Sequence, residues 1–263
     1  MELEIYVVDA FTDQQFKGNS AAVIAISEWL APELMQQIAV ENNLSETAFI
    51  KQKSVNQYEI RWFSPLTEID FCGHATLAAS FVLFQHLDCI GEIEYLTQAV
   101  GALTVVQLDN GRIEMSFPNQ SPEHVENIPQ ALLDGLSCKP IAVLKNRQAY
   151  IAVLSSEKDV LKVTYQSKQL KKLAPLDLVV TAPSQHYDFV SRYFWPANGG
   201  DEDPVTGSIH SALAPYWSKR LVKTELIAYQ ASTRGGVLYC KLVEDRVLVS
   251  GFAVLYLHGK VYI

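Results

Sequence analysis

The strongest constraint on how this chain folds is that it nearly repeats itself. Phe71-Cys72-Gly73-His74-Ala75-Thr76 opens an apolar run from Leu77 to Phe84, and Thr206-Gly207-Ser208-Ile209-His210 opens another that continues to Trp217. Gly73, His74 and Ala78 align with Gly207, Ser208 and Ala212 at one offset of 134 residues (207 minus 73). Upstream, Arg61-Trp62-Phe63-Ser64-Pro65 aligns with Arg192-Tyr193-Phe194-Trp195-Pro196 at an offset of 131 (192 minus 61). Two copies of strand, proline turn, glycine and helix point to a duplicated domain. A helix opened by glycine and small residues presents unpaired backbone N–H groups and the positive end of its dipole, which suits an anion.

The chain has 263 residues, 49% of them hydrophobic and 19% charged, enough to build a substantial core in one large domain or two ordinary ones. A net charge of -8 argues against nucleic acid or an anionic membrane as partner, but not against a small anionic substrate held by a few local N–H groups. Cys72, Cys89, Cys138 and Cys240 show no CxxC or Cys/His metal spacing, so free thiols and no metal are expected. The acidic start, Met1 to Glu4, lacks a basic-then-apolar leader, and no run is long enough for a membrane span. The expectation is a reduced, cytoplasmic protein.

Periodicity supplies the elements. Leu3 to Phe11 reads as a first strand, and Ala21 to Ile26 as a buried one. Asn19, beside Gly18, reads either as a turn residue or as one facing a ligand. Ser27 is expected to cap the region in which Pro32 opens a helix over Glu33–Glu41. Glu46 sits where a polar loop gives way to a strand over Thr47–Ile50, either as a solvated strand-end carboxylate or as a functional one. Tyr58 to Phe63 alternates as a strand, and Asp109-Asn110-Gly111 marks a hairpin. Pro118 to Pro122 is the expected linker between domains 1–118 and 119–263, with the last strand returning to the first domain. The second half repeats the rhythm through strands over Leu176–Ala182 and Asp188–Phe194, then an acidic loop, Ala197 to Val205.

Five ordered stretches carry a resemblance: Lys17 to Val23, Asn43 to Thr47, Arg61 to Pro65, Phe71 to His74 and Glu202 to Ser208. Together they resemble the PhzF-like proteins, the phenazine-biosynthesis isomerase and its relatives, which share the diaminopimelate epimerase fold. The resemblance implies an α/β (α+β) protein of two pseudo-symmetric domains, each a curled mixed sheet around a central helix, with the active site between them. It implies an isomerase that needs no cofactor and moves a proton on a small amino- or hydroxy-carboxylate, and it implies a homodimer. Glu46 matches the general acid/base. His74, Asp203 and Ser208 match the other catalytic polar groups, while Gly73, Gly207, Cys72 and Asn19 fall at substrate-binding positions. A helix N-terminus is expected to hold His74 as neutral imidazole. Epimerases of this fold use a cysteine at each helix start. Here Cys72 faces Thr206 in the alignment, and a hydroxyl is too weakly acidic to replace a thiolate, so Cys72 is expected to be a packed residue. The alternatives are an epimerase or racemase using Cys72, and a catalytically silent small-carboxylate binder.

Overall fold

In the computed structural model, which describes residues 1–263, the chain divides into two compact units, Met1–Ser116 with Ser250–Ile263, and Phe117–Val249. No helix is long and apolar enough to cross a membrane.

The first unit begins with β1 (Glu2–Ala10) and β2 (Asn19–Ile26), followed by α1 (Pro32–Asn42), β3 (Glu46–Ser54), β4 (Gln57–Phe63) and the short β5 (Glu68–Ile69). It continues through α2 (Gly73–His86), β6 (Ile93–Leu96), β7 (Ala102–Gln107) and β8 (Ile113–Pro118). The terminal strand Ala253–Tyr262 lies antiparallel to β1. Strand alternation separates two layers. Ala22, Ile24, Ile26, Phe49 and Phe63 pack with Met35, Ile38 and Ala39 of α1. The opposite face of β1, β2 and β3 packs on α2, which is buried along most of its length. Ser27 does not cap α1: Ala31 occupies that position without a side-chain bond, and Pro32 is the first helical residue, where a missing N–H costs nothing. The helix ends at Asn43, whose left-handed backbone (φ 48°) turns the chain back towards β3.

The second unit contains β9 (Glu123–His124), α3 (Gln130–Gly135), β10 (Ala142–Lys145), β11 (Ala149–Val153), α4 (Glu157–Lys162) and α5 (Ser167–Leu170). β12 (Asp177–Pro183), β13 (Phe189–Phe194), β14 (Glu202–Asp203), α6 (His210–Leu221), β15 (Glu225–Gln230), β16 (Gly236–Val243) and β17 (Arg246–Gly251) complete it. Its pairing senses reproduce those of the first unit. β1–β2 and β10–β11 are antiparallel, β2–β3 and β11–β12 parallel, and β3–β4 and β12–β13 antiparallel. The series continues with β4–β6 and β13–β15 parallel, then β6–β7 and β15–β16 antiparallel.

The duplication reaches individual side chains. Arg61 donates through Nε and Nη2 to Glu68 at 2.7 and 2.6 Å, and its guanidinium lies 5.3 Å from the Phe63 ring centre. Arg192 makes the same fork to Glu202 at 2.7 and 2.8 Å and lies 5.1 Å from the Phe194 ring centre. In each unit the carboxylate belongs to a two-residue strand paired with the arginine's own strand. A planar guanidinium can answer a carboxylate with two parallel bonds and an aromatic face with a third contact, which a lysine cannot do. The helices differ in one respect. α2 starts at Gly73, but α6 starts at His210, after a tighter turn in which His210 N–H bonds the Gly207 carbonyl and Ser211 N–H that of Ser208. Gly207 is therefore not the first residue of its helix, as the alignment with Gly73 implied.

Candidate functional site

Three sequence-distant segments of the first unit meet at the N-terminus of α2. Glu46 opens β3 and shares a sheet face with Ala48 and Ile50, while Asn19 opens β2 and shares a face with Ala21 and Val23. β2 and β3 are parallel with Ala21 opposite Glu46, so both polar side chains are carried on the face that packs on α2. His74, the second residue of α2, lies against them. Its Nε2 is 2.8 Å from Glu46 Oε2, and its Nδ1 is 3.1 Å from Asn19 Nδ2. Asn19 Oδ1 in turn accepts a hydrogen bond from Ser45 Oγ at 2.9 Å. With an amide N–H directed at Nδ1, the ring proton of the neutral imidazole belongs on Nε2, facing the carboxylate.

The Glu46 contact is short but poorly aligned. Oε2 is buried and has no hydrogen-bond partner, so the 2.8 Å approach is a contact of charges, not a directed hydrogen bond. Burial disfavours a charged His74, but the neighbouring Cys72 and Glu46 groups oppose it and carry the pKa well above the ordinary histidine value. Glu46 is the anion that matters, because the Cys72 thiol is itself pushed up to about 11 by burial and then by Glu46, and carries no charge near neutrality. The helix dipole's preference for a neutral His74 is thus opposed by a carboxylate arriving from another strand, while the Asn19 amide on Nδ1 favours the neutral ring. Cys72 is the N-cap residue of α2 and is buried, as expected, yet its Sγ also lies 3.4 Å from His74 Nδ1. Asn19 is not a turn residue. It is the first residue of a strand and is fully buried against His74.

The remaining expected residues belong to the second unit. Asp203 accepts a short hydrogen bond from the Thr206 hydroxyl, and Gln230 ties the segment by donating to the Asp203 carbonyl at 2.8 Å and accepting from Thr206 N–H at 2.9 Å. Ser208 Oγ accepts from Gln148 Nε2 at 3.0 Å. The same amide donates to Tyr193 Oη at 3.0 Å, Tyr193 donates to Asp177 at 2.7 Å, and Asn198 donates to the other Asp177 oxygen at 2.7 Å. Burial raises the Asp177 pKa against the opposing pull of these two bonds. With its acceptor side occupied by Gln148, Ser208 keeps its O–H proton available as a donor. Gln148, Gln230 and Ser45 were not singled out by sequence reasoning. Ser45 had a signal in its place beside Glu46, whereas the two glutamines carry no local mark.

A two-unit fold with matching mixed sheets and a helix against each defines the diaminopimelate-epimerase-like class. A hydroxyproline epimerase from Agrobacterium vitis shares this fold, with a TM-score of 0.64 at 11% identity over 99% of this chain and 92% of that one. Within that class, the family model for phenazine biosynthesis-like protein matches residues 8–259, and the chain belongs to this family. An uncharacterised isomerase of Pseudomonas aeruginosa is 44% identical over 263 residues, with both chains covered in full. A crystal structure of a PhzF-family phenazine biosynthesis protein from Enterococcus faecalis superposes with a TM-score of 0.95 at 42% identity, again over the whole of both chains.

Proposed function

We propose that this chain is a cofactor-independent isomerase that moves a proton between carbon atoms of a small amino- or hydroxy-carboxylate, with Glu46 as the general acid and base. One observation carries the reading: Glu46 is held on a rigid strand with Oε2 2.8 Å from Nε2 of a buried histidine that is itself held by Asn19. A carboxylate paired with one histidine keeps further lone pairs with which to take a proton from carbon. Once protonated, it returns that proton to a second carbon on the same face of the ligand, so a single residue serves both halves of the reaction. His74 holds Glu46 in place and compensates its charge. The N–H groups near Gly73 suit the substrate carboxylate and the enolate-like charge that develops on proton removal. For Asp203, Ser208 and Gly207, roles towards a substrate amine and carboxylate rest on the family resemblance.

The test is solvent exchange. A panel of small amino- and hydroxy-carboxylates is screened for thermal stabilisation, and the hits are incubated in deuterated water. Incorporation of deuterium at carbon is expected for at least one hit with the wild-type chain. Thermal stabilisation by several carboxylates without any incorporation would instead favour the silent binder. A second reading, a one-cysteine epimerase, draws support from the 3.4 Å approach of Cys72 Sγ to His74 Nδ1. It predicts loss of exchange in Cys72→Ala and racemised product, whereas the Glu46 reading predicts a positional isomer.

A further inference from the structure

The duplication places a second carboxylate at the position that Glu46 holds in the first unit. Glu46 opens β3 opposite Ala21 of β2, and Asp177 opens β12 opposite Ala149 of β11. The residues that follow them, Thr47 and Leu178, pair with Phe63 and Phe194, the equivalent phenylalanines of the two units. Near the helix starts, His74 aligns with Ser208. Glu46 approaches His74 directly, whereas Tyr193 and Gln148 link Asp177 to the shorter serine. We infer that Asp177 is a positioning residue that acts through Tyr193 and Gln148 to hold the Ser208 hydroxyl as a hydrogen-bond donor for a ligand carboxylate.

The number of protons available sets the direction of this path. Asn198 Nδ2 lies 2.7 Å from one Asp177 oxygen and Tyr193 Oη 2.7 Å from the other, so the ionised carboxylate accepts on both sides. The single Tyr193 proton is thereby committed to Asp177, and burial together with the Asp177 charge keeps that proton on the phenol. Tyr193 Oη can then only accept from Gln148, which turns its amide nitrogen towards the phenol at 3.0 Å. The second proton of that nitrogen reaches Ser208 Oγ at 3.0 Å. Gln148 thus offers the serine a donor and no acceptor, and the Ser208 proton is left for an oxygen that a ligand brings. Tyr193 is buried and Ser208 half-buried, so the path is held at its inner end and reachable at its outer one. Asp177 shares a sheet face with Thr181, whose hydroxyl accepts from Trp217 of α6 at 2.9 Å, which places this carboxylate on the helix side of the sheet as Glu46 is in the first unit.

Asp177→Asn keeps the shape of the side chain and reverses the path. Asn198 Nδ2 also donates to the Pro175 carbonyl at 3.3 Å, which keeps that nitrogen facing residue 177. In the variant the new amide therefore meets Asn198 with its oxygen and Tyr193 with its nitrogen. Tyr193 then donates to Gln148, whose amide turns over to present Oε1, and the Ser208 proton is drawn onto the same oxygen. The serine is left with lone pairs alone to offer, which repel a carboxylate. The change consists of hydroxyl and amide rotations, with no proton gained or lost by Tyr193, Gln148 or Ser208. That Ser208 serves a ligand carboxylate rests on the proposed function; the direction of the path does not.

Neutron diffraction from deuterated crystals reads the direction without a substrate. In the wild type the Tyr193 deuteron should point to Asp177, and the two Gln148 amide deuterons to Tyr193 and Ser208. In Asp177→Asn the Ser208 deuteron should point to Gln148 Oε1. A Ser208 deuteron on Gln148 in the wild type, or an unchanged Gln148 amide in the variant, would overturn the inference. Thermal titration with L-lactate and L-proline reads carboxylate affinity. Asp177→Asn should weaken binding about tenfold or more, and Tyr193→Phe, which cuts the path without adding a donor, should weaken it less. Added to Ser208→Ala, Asp177→Asn should change the affinity by less than about twofold, because the group it acts through is gone. The full loss in that background would mark general damage and refute a role through Ser208. A protein with the expected deuteron positions that incorporates deuterium into no carboxylate counts against the isomerase reading and leaves this inference standing. Incorporation by Asp177→Asn with the kcat and KM of the wild type does the reverse.

Discussion

His210 should make the protein sensitive to acid, and the size of the effect can be worked from its surroundings. The ring is fully buried, its Nδ1 donates to the Thr206 carbonyl at 2.9 Å, it stacks on Phe189, and its Nε2 has no partner. Burial pushes its pKa down to about 4, against 6.5 for a free histidine, despite the upward pull of the Thr206 bond. The folded state therefore holds fewer protons than the unfolded state between these two values. Stability is fully present above pH 6.5 and is lost as pH falls towards 4, where the loss reaches about 3 kcal/mol and begins to level off. In His210→Gln the side chain cannot ionise but keeps an amide donor for the Thr206 carbonyl. Urea unfolding of both proteins from pH 7 to pH 4 should show the wild type losing about 3 kcal/mol more than the variant over that range. The comparison cancels other titrating groups, including His74, whose raised pKa acts in the opposite direction. Parallel pH profiles for the two proteins would refute the argument.

Other expectations follow from the packing and the site. Gly18 has a φ of +63°, and a Cβ there would lie 2.1 Å from the Ala10 carbonyl oxygen, so Gly18→Ala should cost more than about 2 kcal/mol in thermal or chemical denaturation. Arg192→Lys loses the fork to Glu202 and the 2.8 Å bond to the Val163 carbonyl, and should cost about 1–3 kcal/mol. Asn19→Ala leaves His74 Nδ1 without its amide partner. It should lower deuterium incorporation about tenfold or more through kcat, with ligand-induced thermal stabilisation largely kept.

Much of the fold is visible locally because it depends on local periodicity. Tyr58, Ile60 and Trp62 alternate with polar neighbours and lie buried in β4, and Asn110-Gly111 closes the hairpin between Gln107 and Ile113 as its turn chemistry requires. The repeated Arg-aromatic-Phe stretches mark equivalent strands, and even equivalent forks to Glu68 and Glu202, although nothing local identifies those glutamates as partners. What escapes sequence reasoning depends on who arrives from elsewhere. Asn19 and His74 are far apart in the chain, so its role is invisible beside Gly18, where a turn is the nearer explanation. The dipole acts from the helix that bears His74, whereas Glu46 approaches from a strand. The chain from Gln148 through Tyr193 to Asp177 joins three strands or loops with no pattern in common. The three-residue delay in the start of α6 lies in how the turn after Gly207 closes, which residue types do not reveal.

The central question is whether Glu46 carries the proton. Deuterium wash-in, followed by mass spectrometry on a carboxylate that stabilises both proteins to heat, compares wild type with Glu46→Gln directly. The account predicts incorporation into a carbon position by the wild type and a fall of about 10²–10⁴-fold in the variant, with thermal stabilisation by the ligand preserved. Incorporation by Glu46→Gln at a rate near that of the wild type would contradict it.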